Sequence, residues 1–188
     1  AIPVLQLVYW AFLTADTVFN TEFWLTSVQS FTIAITAALV TVFFSLLLIY
    51  FSKWNALSVV KHVSRIGVLG YAIPGAVIAI GIMIPTLALD KWLIGVLKTR
   101  FGVDAGLLIN GTMIALLYAY CVRFLAVAYN PIESTALKVD RTIPDSSKVL
   151  GVGSLKTFAK IEYPLIKVGV FSAVILVFVD VLKELPLT

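Results

Sequence analysis

From Phe23 to Ser52 the sequence carries no Asp, Glu, Lys or Arg. A membrane span needs about 20 predominantly apolar residues, so this run is long enough to cross a bilayer as a tilted helix. Inside hydrocarbon the backbone must satisfy its own hydrogen bonds, which a helix does within one segment. The rest of the chain fits that solvent. It is 61% hydrophobic and 13% charged, where soluble domains carry about a quarter charged residues. The expectation is an all-α, polytopic transmembrane helical bundle with about five spans. Thr32, Thr36 and Ser45 interrupt the first long run. Small polar residues let helix backbones approach, and lining a path is the alternative use.

The other apolar runs are less uniform. Ala1 to Ala15 has no charge but is short for a span, and it reads as the remainder of a helix whose beginning is missing. The chain starts and stops in apolar sequence and reads as a fragment of a longer protein, one transmembrane domain over residues 1–188. Asp16 and Glu22 mark a small acidic loop. Ile66 to Leu89 is the third span, with Pro74 and Pro85 expected to bend it. Gly70, Gly75 and Gly81 permit close contacts there. An interrupted span either lines a path or is a kinked packing helix. Asp90 to Asp104 reads as a loop, Leu107 to Val122 as the fourth span and Leu165 to Leu182 as the fifth. Arg123 lies near the inner end of the fourth span. It snorkels to headgroups or forms an ion pair that holds the helix of the 133–164 loop against the span.

Charge sets the expected sidedness. The loop 53–65 holds Lys53, Lys61, His62 and Arg65 and no acid, so the positive-inside rule makes it cytoplasmic. The segment 133–164, two spans later, falls on the same side. His62 is the one histidine and reads as a solvated loop residue. Cys121 is the one cysteine, so no disulfide forms within the chain. The net charge of +4 belongs to loops at the membrane surface and not to a nucleic-acid site. Neither a metal site nor a catalytic constellation is expected, since a membrane-embedded enzyme would need His or acids clustered within the spans.

Glu133 to Pro164 is the long polar segment, and its grammar is two short helices. Pro144 suits a first helical turn, and Asp145, Ser146 and Ser147 favour an N-terminus. Gly151 or Gly153 can take the left-handed conformation that ends a helix. Ser154 is then read as the cap of a second helix, Leu155 to Glu162, which Pro164 stops. Leu155, Phe158, Ala159 and Glu162 share one face of it, and Lys156 and Lys160 another. One reading is an interfacial helix lying on headgroups.

The same segment resembles the cytoplasmic loop of the membrane subunits of bacterial ATP-binding-cassette (ABC) importers. The family pattern is Glu-Ala-Ala, three residues, Gly, nine residues, Ile, one residue, a hydrophobic residue and Pro. Asp145-Ser146-Ser147, Gly151, Ile161, Tyr163 and Pro164 stand at that spacing, with Asp for Glu and Ser for both Ala. Gly70-Tyr-Ala-Ile-Pro-Gly75, the Arg123-Phe-Leu-Ala run and Val179-Asp-Val-Leu-Lys-Glu-Leu-Pro186 are similar to segments of the ferric-iron-type permeases of that family.

The resemblance implies a type I importer permease in the bacterial inner membrane. Asp145, Ser146, Ser147, Gly151, Ile161 and Pro164 would couple it to a pair of ATPase subunits. It also implies an extracytoplasmic solute-binding protein and a second permease half. No phosphate-binding Gly-x-x-x-x-Gly-Lys loop is present, so ATP and its hydrolysis would belong to the partner, with no cofactor in this chain. Pro74, Gly75, Asp180, Lys183 and Glu184 are candidates for the path or outer gate. Asp180 and Lys183, three apart on a helix, are alternatively a structural ion pair. Ferric iron is the expected solute; thiamine, sulfate, polyamine or phosphonate are alternatives within the family. A secondary transporter would share the broken helices and intramembrane charge but would not need the spaced loop.

Overall fold

The computed structural model describes residues 2–54, 73–102, 106–140 and 142–184, and within them every regular element is helical. Lys61, His62, Arg65, Gly70 and Pro186 lie outside the described residues. The chain forms two compact units, 1–33 and 34–188.

The first unit holds α1 (Ile2–Val18) and the start of α2 (Thr21–Trp54). The expected acidic loop is a turn of two residues, Phe19 and Asn20; Asp16 lies in α1 and Glu22 in the first turn of α2. Asn20 explains the new start. Its side-chain oxygen accepts the Phe23 N–H at 2.8 Å, satisfying one of the amides a helix N-terminus leaves open. Glu22 adds a favourable charge at the same terminus.

The second unit contains the rest of α2, then α3 (Gly75–Phe101), α4 (Met113–Ala136), α5 (Thr142–Val149), α6 (Ser154–Thr157) and α7 (Tyr163–Lys183). A π-helical turn, Phe158–Glu162, joins α6 to α7 without a break. Four helical stretches are long and apolar enough to cross a membrane: Thr21–Ser52, Gly75–Phe101, Met113–Ala136 and Ser154–Lys183. α1 is apolar but shorter, so the described residues hold four candidate spans where about five were expected.

Three boundaries differ from the sequence reading. Pro74 does not kink a span; it sits at the N-cap position and α3 begins after it, where a missing N–H is harmless. α3 then runs through Asp90 and Lys91 to Phe101, where Gly102 at φ 65° ends it and its N–H bonds Lys98 O. Charge alone does not end a helix, whereas a left-handed glycine does. Asp90 is buried inside this helix. Its carboxylate accepts the backbone N–H groups of Leu108, Ile109 and Asn110 at 2.8–3.0 Å and the Asn110 side-chain amide at 3.2 Å. Asp90 thus holds the connection to α4 against α3. The third difference is α4, which starts later and ends later than expected; Glu133 lies within it, so the polar connection proper begins at Leu137.

α4 is the centre of this unit. Ala34, Ala37, Ala38, Thr41, Val42, Ser45 and Ile49 form one buried stripe along α2, the three-and-four spacing of a single helix face. Thr41 Oγ1 reaches Cys121 Sγ of α4 at 3.4 Å. Ser45 is buried in that stripe and Thr32 is exposed. On another side of α4, Gly169 of α7 packs against Pro131 and Thr135. A Cβ at Gly169 would stand 2.7 Å from Pro131 O and would also strike the Thr135 side chain.

Gly169→Ala is therefore expected to destabilise the fold by about 1–3 kcal/mol, because a backbone carbonyl must move. Gly81→Ala is the control, since nothing lies within 4 Å of a Cβ there. Thermal unfolding of the two variants in detergent should show a lowered midpoint for Gly169→Ala and none for Gly81→Ala.

Candidate functional site

Two groups of residues carry the chemistry outside simple packing: the α5–α6 connection and a charged cluster where α3, α4 and α7 meet.

The connection starts with Asp140, whose Oδ1 accepts the Thr142 N–H at 3.0 Å and so caps α5. That hydrogen bond holds the Asp140 carboxyl below the usual range, because it favours the charged form. α5 begins at Thr142, ahead of Pro144, and has Asp145 in its first turn. Ser146 Oγ donates back to Thr142 O at 2.7 Å. The helix closes at Gly151, φ 75°, with Val152 N–H bonded to Ser147 O at 3.1 Å. That six-to-one bond around a left-handed glycine is the Schellman closure. Gly153, at φ −63°, occupies the N-cap position of α6, so Ser154 is the first helical residue and not the cap.

Ser147 and Thr157 bury their hydroxyls against each other at 2.7 Å and tie α5 to α6. Of the six residues expected to couple, Asp145, Ser146, Gly151 and Pro164 are exposed, Ile161 is half-buried, and Ser147 faces inward. Pro164 does not stop a helix. It lies in the first turn of α7, which follows directly from the π turn, and a first turn tolerates a residue without an N–H. Sequence reasoning missed two apolar residues left outside at the Gly151 closure, Val149 at 88% and Leu150 at 81% exposed; Leu155, already placed on a face of the second helix, is 71% exposed. A Val-Leu pair directly before a left-handed glycine was the available signal.

The charged cluster centres on Arg123, midway along α4 and not near its end. Its Nε donates to Glu184 Oε2 at 2.9 Å and its Nη1 to Ile73 O at 2.7 Å. Both charged side chains are largely buried, 15% and 10% exposed. The guanidinium fork thereby joins the middle of α4 to the end of α7 and to the residue before Pro74. Gly75 makes room for it: a Cβ there would lie 2.5 Å from Glu184 Oε1 and 3.3 Å from Arg123 Cζ. Glu184 also faces the N-terminus of α3, where a negative charge is favoured. The Tyr120 ring stacks near Phe124 one turn along, and its buried hydroxyl has no hydrogen-bond partner among the described residues.

The gate candidates thus divide. Pro74, Gly75 and Glu184 come together around Arg123. Asp180 is half-buried and Lys183 exposed, and they form no ion pair with each other among the described residues. Arg123 pairs with an acid and does not snorkel, and its partner lies at the end of α7 and not in the polar connection. Among the described residues no group of three His, Cys, Asp or Glu is placed to hold a metal. Compared with known proteins, the chain matches no family model and no curated protein.

Breaking a buried pair from one side leaves an uncompensated charge and typically costs about 3–5 kcal/mol, while removing both charges costs less. Arg123→Met and Glu184→Met singly should each lower the unfolding midpoint and the yield of folded protein. The double variant should recover part of that loss in the same unfolding measurement.

Proposed function

We propose that this chain is the transmembrane permease of an ATP-driven importer of the ABC type, carrying ferric iron, in a bacterial inner membrane. The connection that begins at Leu137 and runs to Pro164 faces the cytoplasm and docks on a separate ATPase subunit. The observation that carries this reading is the outward-facing Val149, Leu150 and Leu155 on a short two-helix connection closed by Gly151. Three large apolar side chains at that level of exposure beside charged residues fit a protein groove better than water. The spacing from Asp145 to Pro164 supports the same partner. The runs at Gly70–Gly75 and Lys183–Pro186 support ferric iron over thiamine, sulfate, polyamine or phosphonate. The path then lies between this chain and a second permease half, with a solute-binding protein delivering the solute on the opposite face. The Arg123–Glu184 tie, with Pro74 and Gly75, belongs to the gate.

The test is solute uptake and ATP hydrolysis in vesicles containing the permease and its ATPase. Gly151→Val puts a β-branched residue at a positive φ, a conformation that costs L-residues roughly 1–2 kcal/mol. Leu150→Asp places a charge in the proposed contact. Both should leave membrane insertion intact and lower uptake-coupled hydrolysis at least tenfold. Unchanged coupling in both sinks the docking reading. A secondary transporter, which the intramembrane charge pair would also suit, is recognised by uptake that persists without any ATPase.

A further inference from the structure

A groove of about 740 Å³ runs between α2 and α7. Leu39 and Phe43 form one wall, Phe171 and Val174 the other, and Tyr163 and Lys167 stand at one end. Lys167 is the one charged residue lining it. The two helices run in opposite directions, because Tyr50 near the end of α2 meets Phe158 just before α7, with ring centroids 5.1 Å apart. That ring pair lies beyond the Tyr163–Lys167 end. The apolar end, at Leu39 and Val174, therefore points toward the middle of the bilayer.

We propose that this groove binds one acyl chain of an anionic phospholipid, whose headgroup phosphate sits on Lys167 and Tyr163. Length is the first argument. From Tyr163 to Val174 the helix rises about 16 Å at 1.5 Å per residue. Half of a 30 Å hydrocarbon core is about 15 Å, so the groove is as deep as one leaflet. Charge is the second. Tyr163 and Lys167 stand four residues apart, on one face of the helix, and a lysine at that level can extend back toward the headgroups. No ion pair holds Lys167 among the described residues. A phosphate meets that ammonium and the Tyr163 hydroxyl together, whereas a neutral apolar neighbour would leave the charge without a mate. This inference requires only that α2 and α7 span a membrane, and it stands or falls separately from the importer reading.

The experiment is native mass spectrometry of the detergent-purified protein titrated with dioleoyl-phosphatidylglycerol or dioleoyl-phosphatidylcholine. The expected result is one retained phosphatidylglycerol, bound at least fivefold better than phosphatidylcholine. Lys167→Gln should abolish the preference while leaving weak binding of both lipids. Val174→Trp, which fills the deep end, should reduce binding of both. Lys138→Gln, an exposed lysine of the polar connection, should change nothing. Equal binding of the two lipids by the unaltered protein overturns the proposal, as does unaltered phosphatidylglycerol retention in both Lys167→Gln and Val174→Trp. So does a disulfide from Phe43→Cys, in a Cys121→Ser background, to another protein helix in the membrane, which would show a protein occupant instead.

Discussion

A guanidinium midway along an apolar helix must find its partners inside the protein, because hydrocarbon offers none. Arg123 solves this with an acid from the far end of α7 and a carbonyl from the approach to α3. The cost of desolvating both charges is offset only when geometry and extra hydrogen bonds are good. That requirement pins three chain segments to one point. It also favours a glycine at position 75, since a methyl group there would displace the Glu184 carboxylate from its present place and crowd the guanidinium. The ion pair, the helix start and the small residue are one device.

Elsewhere the unit is held by close contact. Water-driven burial contributes little between helices in lipid, so packing depends on how near backbones approach. The Ala and Ser stripe of α2 and Gly169 of α7 provide that approach. Large residues such as Phe43, Phe44 and Phe171 point outward, which is inverted relative to a soluble protein and suited to lipid. The α2–α7 groove is the place where two such outward faces diverge.

The polar connection follows different rules. It has few apolar residues to bury, so it is ordered by local hydrogen bonds: Asp140 at the start of α5, the Gly151 closure at its end, and the Ser147–Thr157 pair between its helices. Its apolar side chains are left outside as a consequence. Order without a core of its own, with exposed Val and Leu, is the physical basis for the proposal that a partner covers it.

The sequence by itself determined that the chain is helical and membrane-spanning, because long charge-free runs leave the backbone no other way to satisfy itself. It also narrowed a helix end to Gly151 or Gly153, because a left-handed closure favours glycine whatever surrounds it, and the structure puts the closure at Gly151. Helix ends near charges were not legible in the same way. Asp90 looks like a loop residue until the amides of Leu108, Ile109 and Asn110 are seen to surround it, and Pro164 looks like a stop until the π turn is seen to carry the helix into it. The tertiary structure alone decided which acid serves Arg123. Asp180 and Glu184 are near neighbours in sequence. Which of them meets the Arg123 guanidinium depends on where α7 ends against α3 and α4, and no local pattern encodes a pairing with Glu184, 61 positions away.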